Sequence, residues 1–164
     1  SSDLWANRDG LIWFIEQVYI PFMDQIQWPL WVVGHWTVEF QNRYKHIPQI
    51  RFLGYVDDLN EVYNGSVMIT PIRLGSGLRT KILHAFANSV PVISTEFACE
   101  GLCDVTKKYH HIVTFSSELE FLERFLQLKS NPSTLNSLAK NALEFHREHF
   151  GDDQLIAQRL AVYR

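Results

Sequence analysis

The sequence predicts an α/β domain with a parallel sheet and helices on both faces of that sheet. Short, almost wholly apolar runs, typical of strands buried on both faces, recur along the chain. Amphipathic segments with helical spacing separate these runs, and this alternation indicates a Rossmann-like fold. The length of 164 residues, with 46% hydrophobic and 20% charged residues, suits one globular domain. Such a sheet binds ligands at the carboxyl ends of its strands.

Two strands and three helices are predicted in the first part of the chain. Apolar residues at helical spacing predict one long helix over Asp9–Met23. The run PLWVVGH, Pro29–His35, predicts a strand, and the polar stretch Thr37–His46 predicts a short helix. A second strand is predicted at Ile50–Val56, followed by a helix within Asp57–Tyr63 that one of its two aspartates caps.

The second part of the chain continues the same alternation. In chain order we expect the strand Ser66–Ile72, the helix Arg79–Asn88, the strands Pro91–Thr95 and His111–Phe115, a helix capped by Ser116 or Ser117, a helix over Ser133–His149 and a last helix from Asp153 towards Arg164. A sheet of this type usually begins with a strand, whereas this chain begins with a helix. We therefore expect the chain to be a piece of a longer protein.

The segment Pro71–Thr95 carries the strongest functional signal. A strand end leads into a loop with two glycines, Gly75 and Gly77, and then into an amphipathic helix. Glycines allow a ligand to approach the backbone closely, and a helix N-terminus directs free N–H groups at one point. The segment therefore predicts a site for a phosphate-bearing ligand, specifically a nucleotide diphosphate.

Four side chains within GSGLRTK add to this signal. Ser76 and Thr80 offer hydroxyl groups, Arg79 can donate two parallel hydrogen bonds to a phosphate, and Lys81 supplies a point charge. The motif matches neither GxxxxGK[ST] nor GxGxxG. On these residues alone, a purely structural strand–turn–helix connection remains an alternative.

Composition excludes several classes of function. The net charge of −3 gives no positive field for nucleic acid, and no apolar run reaches the length of a transmembrane segment. Cys99 and Cys103 are expected to be a reduced thiol pair in a cytoplasmic protein. No metal site is expected, because no further ligands lie near that pair.

At this point the sequence resembles a known family. The run P-x-R-x-G-S-G-x-R-x-K-I-L-x-A-x-A, followed by PVIST and C-E-G-L, is similar to the donor-binding half of GT-B glycosyltransferases of the "glycosyl transferases group 1" family. The opening NRDGLIWF resembles the first helix of that half, and LWVVGH and FLGYVDDLNEVY resemble two further segments. The resemblance extends over nearly the whole chain.

The resemblance implies a function and a partner. Family members place two Rossmann-like domains across a cleft and transfer a sugar from a nucleotide diphosphate to an acceptor, as in polysaccharide biosynthesis. This chain resembles only the second domain, so residues 1–164 are expected to be a donor-binding domain without its acceptor half and without the first strand of its sheet. By itself it would bind the nucleotide sugar and be inactive. No separate cofactor is implied, and contact with a membrane would come through the missing half.

The resemblance also assigns residues. Arg79 and Lys81 would act in catalysis by stabilising charge on the leaving diphosphate. The donor-binding positions are Gly54, Tyr55, Val56, Arg73, Gly75, Ser76, Gly77, Leu78, Thr80, His84, Glu100 and Gly101.

Two departures from the family pattern bear on function. The family often carries two glutamates eight positions apart, and these positions are Ser76 and His84 here. His84 either bonds a ribose hydroxyl in place of the second glutamate or marks a degraded site. In the first loop Arg8 is the single basic residue, so Arg73, Arg79 and Lys81 would supply the charge. The alternatives to a retaining glycosyltransferase are a degenerate domain with an interaction or regulatory role and a nucleotide-sugar epimerase.

Overall fold

The computed structural model describes residues 2–75, 79–102 and 110–151, with side chains from residue 5 onward. The α-helices are α1 Ser2–Trp13, α2 Ile20–Ile26, α3 Val38–Tyr44, α4 Asn60–Tyr63, α5 Thr80–Ala87, α6 Glu118–Lys129 and α7 Pro132–Phe150. The strands are β1 Leu30–Val33, β2 Ile50–Gly54, β3 Met68–Thr70, β4 Val92–Thr95 and β5 Val113–Phe115. A π-helical turn, Phe14–Tyr19, joins α1 to α2, and a 3₁₀ turn, Phe97–Cys99, follows β4.

All strand pairs are parallel, as the sequence predicts. They form two sheets, however: β1 pairs with β2, and β3, β4 and β5 pair in that order. Among the described residues no backbone hydrogen bond joins one sheet to the other. The predicted α/β class is confirmed, with the difference that the sheet is interrupted.

Apolar layers cover both faces of the strands, and β4 shows this most clearly. Its four residues are all buried, and neighbouring side chains point to opposite faces because a strand alternates. Ile93 packs into the core made with the π-helical turn and α6, whereas Val92 packs into the core made with α5 and α7. The predicted arrangement of helices on both faces is therefore confirmed.

The N-terminal helical run is longer than predicted and is not uniform. The sequence predicts Asp9–Met23, and the structure has continuous helical geometry from Ser2 to Ile26. A π turn accommodates one additional residue and so rotates the helix faces on either side of it. In this turn Phe14, Ile15, Val18 and Tyr19 are all buried. Burying four large side chains from one turn explains why the regular helical spacing is broken here.

The sequence predicts a capping side chain near the starts of α4 and α6, and a side-chain oxygen accepts a hydrogen bond from a backbone amide at each of them. Ser117 Oγ accepts a hydrogen bond from the Glu120 amide at 3.2 Å, which selects Ser117 over its neighbour Ser116. Asp58 Oδ1 accepts from the Asn60 amide at 2.9 Å at the start of α4. The helix predicted from Asp153 onward lies outside the described residues.

Lys129 ties the C-terminus of α2 to the C-terminus of α6. Its ammonium donates to the carbonyl oxygens of Gln25 and Ile26, at 3.4 and 2.9 Å, and to Gln27 Oε1 at 3.0 Å. A cation at a helix C-terminus also compensates the negative end of the helix dipole.

We expect Lys129→Met to lower the free energy of unfolding by about 1–2 kcal/mol, because three acceptors lose a charged donor. Chemical denaturation measures this loss. Lys140→Met is the control: the Lys140 side chain is 76% exposed and lies 4.0 Å from Glu144, so its removal should change stability by less than about 0.5 kcal/mol. Equal effects of the two substitutions would contradict the role of Lys129.

Cys99 differs from its predicted state. It lies in the 3₁₀ turn and is disulfide-bonded in the structure, so the expectation of a reduced thiol at this position is wrong. Cys103 lies outside the described residues. Across the described ranges, no helix combines the length and the apolar character needed to cross a bilayer.

Candidate functional site

The connections after β3 and β4 are bonded to each other at the carboxyl edge of their sheet. The Thr95 hydroxyl donates to the carbonyl oxygen of Ile72 and accepts from the Ala98 amide at 3.2 Å. Beneath these bonds Ala6, Ile72 and Ala98 form a small buried cluster, which brings α1 to the same edge. This edge is where the parallel topology predicts a ligand site.

Gly75 and Arg79 flank the loop that the sequence singles out. Gly75 has φ +95°, a conformation that residues with a side chain rarely adopt. The Arg79 guanidinium turns back over this glycine, and its Nη2 donates to the Leu74 carbonyl oxygen at 3.2 Å. Arg79 Nε is buried without a hydrogen-bond partner among the described residues. Ser76, Gly77 and Leu78, three predicted site residues, lie outside the described residues.

The Arg73 side chain contacts two residues of α1. Its guanidinium forms an ion pair with Asp9, with Nη2 and Oδ2 3.1 Å apart, and lies 4.9 Å from the centroid of a Trp13 ring. This pairing joins residues 64 positions apart in the sequence, so sequence reasoning missed Asp9 and Trp13. The donor-binding role predicted for Arg73 stays a prediction, with Asp9 as a competitor for its charge.

Helix α5 presents its N-terminus and an exposed row of side chains at the edge. Ile82 and Leu83 already donate their amides to the Arg79 carbonyl oxygen, whereas the amides of Thr80 and Lys81 have no backbone partner among the described residues. Thr80 and Lys81 are exposed. The start of the helix thus offers two N–H donors, one hydroxyl and one ammonium, which is a suitable set for an anion.

One helical turn further along α5, His84 contacts Tyr63 of α4. His84 Nδ1 and the Tyr63 hydroxyl are 3.0 Å apart, and burial raises the pKa of that phenol above its ordinary value. Asn88 Nδ2 donates to the His84 carbonyl oxygen at 2.7 Å. A recess of about 190 Å³ lies beside this group, lined by Asp57, Asp58, Leu59, Asn60, His84 and Asn88. Sequence reasoning missed Tyr63, although it lies in the quoted run FLGYVDDLNEVY.

The end of β2 carries three predicted residues, Gly54, Tyr55 and Val56. Gly54 closes the strand, and its carbonyl oxygen accepts from the Gly34 amide at 2.7 Å. The Tyr55 side chain is 68% exposed and stacks on His35, with ring centroids 5.7 Å apart and planes 11° apart. Val56 is half-buried. The His35–Tyr55 pair is a flat aromatic surface at the carboxyl edge of the β1–β2 sheet.

Glu100 and Gly101 follow the 3₁₀ turn after β4, and both are exposed. They reach the same carboxyl edge, because the Thr95–Ala98 hydrogen bond fixes the start of that turn.

A larger groove of about 610 Å³ lies elsewhere, between β5, α6 and the start of α7, and is lined by Ile112, Val113, Thr114, Arg124, Gln127, Leu128, Ser130, Asn131 and Thr134. Across the described ranges, no three His, Cys, Asp or Glu residues are grouped to hold a metal ion.

Comparison with solved structures identifies the same fold in two proteins, one of which is an O-GlcNAc transferase. HepE from Anabaena, in complex with UDP, matches with a TM-score of 0.71 at 15% sequence identity. The match covers 92% of this chain and 46% of HepE. The pneumococcal O-GlcNAc transferase GtfA, in complex with UDP and GlcNAc, matches with a TM-score of 0.62 at 11% identity, over 93% of this chain and 32% of GtfA.

Sequence comparison adds a relative and a family. An uncharacterized 44.6 kDa protein in the cps region of Klebsiella pneumoniae is 23% identical over 161 residues, which are 92% of this chain and 41% of that protein. The chain thus spans less than half the length of its curated relative. The family model "Glycosyl transferases group 1" matches residues 1–131. On that match, the chain belongs to the glycosyl transferases group 1 family.

Proposed function

We propose that this chain is the donor domain of a retaining glycosyltransferase and that it binds a nucleotide-diphosphate sugar with no further cofactor. The observation that carries this proposal is the convergence of the Gly75 turn, Arg79 and the N-terminus of α5 at one edge of the sheet. Backbone N–H donors and two cations at a single point suit a diphosphate. HepE and GtfA, which share the fold, are both in complex with UDP, and this favours a uridine nucleotide.

In the proposed complex, the ligand runs along the carboxyl edge from one sheet to the other. The diphosphate lies at Gly75, Thr80 and the side chains of Arg79 and Lys81. The ribose lies over His84, and the base reaches the Tyr55 surface at the end of β2. As the bond to the sugar breaks, negative charge grows on the diphosphate, and the two cations stabilise that charge more strongly than they stabilise the bound substrate. Glu100 and Gly101 border the side from which the sugar projects.

We also propose that a longer protein completes this domain, contributing an acceptor half and a further parallel strand. Two features support this. The two sheets share one hydrophobic core yet lack mutual backbone hydrogen bonds among the described residues, and the chain spans 41% of its curated relative. Transfer would then require both halves, and the isolated chain would bind the donor only.

Isothermal titration calorimetry with UDP, GDP, ADP and dTDP tests the proposed function. We expect UDP to bind and uridine to bind at least about tenfold more weakly, because the diphosphate supplies most of the charged contacts. A circular dichroism spectrum confirms that the protein is folded in each titration. If a folded, full-length protein binds none of the four nucleotides, the donor site is not where we propose it.

A further inference from the structure

The contact between Tyr63 and His84 determines which hydrogen atom the imidazole offers to a ligand. The Tyr63 hydroxyl lies 3.0 Å from His84 Nδ1, and its ring centroid lies 5.7 Å from that of the histidine. A tyrosine phenol carries its proton near neutral pH, and burial raises the pKa of Tyr63 further. An imidazole nitrogen is a better acceptor than a phenol oxygen. The favoured arrangement therefore has the tyrosine donating to Nδ1.

A hydrogen bond of that direction selects one tautomer of the neutral imidazole. Because Nδ1 accepts, the proton of the ring is on Nε2, and the ring offers an N–H donor to whatever lies beyond it. A carboxylate at the same helical position would offer only acceptors. Histidine at position 84, where the family pattern has a glutamate, therefore offers a hydrogen-bond donor in place of an acceptor.

The recess beside His84 supplies acceptors that complement this donor. Asp57 and Asp58 line this recess together with His84 of α5 and Asn88. Asp58 already accepts from the Asn60 amide at 2.9 Å, whereas no hydrogen bond from a described residue occupies the Asp57 carboxylate. A ribose hydroxyl both donates and accepts, so it can donate to a carboxylate and accept from an N–H at once. The recess therefore suits a diol, because Asp57 and Asp58 offer acceptors and His84 of α5 offers a donor.

The spacing along α5 agrees with a ribose at this point. Residue 84 lies four positions after Thr80, where the helix begins, which is about 6 Å along the helix axis. A ribose adjoins the diphosphate within a nucleotide at a comparable distance. Lys81 and His84 also lie three residues apart and share one helix face.

We propose that Tyr63 is a positioning residue that fixes His84 in the Nε2–H tautomer. His84 then donates a hydrogen bond to a ribose hydroxyl, and the same hydroxyl donates a hydrogen bond to the Asp57 carboxylate. This inference rests on the proposed donor site. It explains how the site works without the glutamate, and it gives Tyr63 a role that is separable from folding.

Nitrogen NMR of the full-length protein, labelled with ¹⁵N-histidine, tests the positioning step without any ligand. At about pH 8, where an ordinary histidine is neutral, we expect the His84 ring to show an unprotonated Nδ1 and a protonated Nε2; His84→Gln identifies its signals. Tyr63→Phe should shift both signals towards the average of the two tautomers. Tyr19→Phe is the matched control, since it removes a hydroxyl that donates to the Trp28 carbonyl oxygen at 2.7 Å, far from His84 in the sequence. A protonated Nδ1, or unchanged signals in Tyr63→Phe, would overturn the proposal.

Binding of UDP and of 2′,3′-dideoxy-UDP tests the ribose step. We expect the wild type to prefer UDP by about tenfold and Tyr63→Phe to reduce that ratio by about threefold or more, while Tyr19→Phe leaves it unchanged. His84→Glu should weaken UDP binding, because its carboxylate would face Asp57; stronger binding would indicate a decayed glutamate site and overturn the proposal. If UDP binds but the ratio is the same in Tyr63→Phe, only this inference fails. If no variant binds UDP, the proposed function fails with it.

Discussion

Substitution of Arg79 by alanine is expected to weaken UDP binding by about 1–3 kcal/mol, which is about 5- to 150-fold. Two losses add up in this variant. The diphosphate loses a cation at the start of α5, and the loop loses the hydrogen bond from Arg79 Nη2 to the Leu74 carbonyl oxygen. The buried Arg79 Nε, which has no partner among the described residues, is an unused donor that a phosphate oxygen can satisfy. Titration calorimetry measures the change.

Two further variants separate charge from geometry. Lys81→Ala should also weaken UDP binding by about 1–3 kcal/mol, and it should do so without disturbing the loop, since Lys81 is exposed. Arg79→Lys keeps the charge but loses the planar pair of donors, so it should recover only part of the affinity. Arg124→Ala is the control, because Arg124 forms a surface pair with Glu120 at 3.5 Å. Unchanged affinity in both Arg79→Ala and Lys81→Ala would place the phosphate elsewhere.

Gly10→Ala is expected to lower the free energy of unfolding by about 2 kcal/mol, although alanine favours a helix over glycine by about 1 kcal/mol. Gly10 lies in α1, and a Cβ atom there would overlap the Pro71 carbonyl oxygen and lie 3.0 Å from its carbonyl carbon. Both atoms are backbone, so neither can turn aside as a side chain would. The helix must move away from the end of β3, which would also strain the Asp9–Arg73 ion pair. Thermal or chemical unfolding measures the loss.

An exposed position in α7 provides the reference for this substitution. Ser137→Gly and Ser137→Ala, compared with each other, give the difference between glycine and alanine in a helix of this protein without any clash, since Ser137 is exposed. Alanine should be the more stable of the two at position 137 and glycine the more stable at position 10. The same order at both positions would show that α1 does not pack tightly on Pro71.

Local patterns in the sequence predict the strands of the described ranges and the positions of most helices. Each predicted strand in the described ranges is present, because these runs are rich in apolar and β-branched residues, as in LWVV of β1. The cap at Ser117, one of the two serines expected there, follows from a side chain that accepts from the amide three residues on. The π turn at Phe14–Tyr19 could not be predicted, since it arises from how four side chains fit a core built by distant residues.

The sequence singles out the candidate site residues, but it does not predict which partners those residues have in the folded chain. Gly75 and Arg79 are near each other in the sequence, and their contact follows from the turn between them. The pairing of Arg73 with Asp9 and of His84 with Tyr63 depends on how separate elements pack. No local pattern contains that information. The contacts of Arg73 and His84 with other elements therefore become visible only in the folded structure.

The interruption between the two sheets has a thermodynamic consequence. Tyr55 extends from the β1–β2 pair, whereas Arg79 lies in the connection after β3. The two ends of the proposed ligand site thus belong to units that, within the described ranges, share packed side chains and no hydrogen-bond ladder. Units of this kind can open separately, each with its own free energy. A nucleotide that contacts both Tyr55 and Arg79 would link the two units and stabilise them against separate opening. Hydrogen exchange in β1 and β2 should then slow on binding, even though the phosphates of the proposed complex would contact the other sheet.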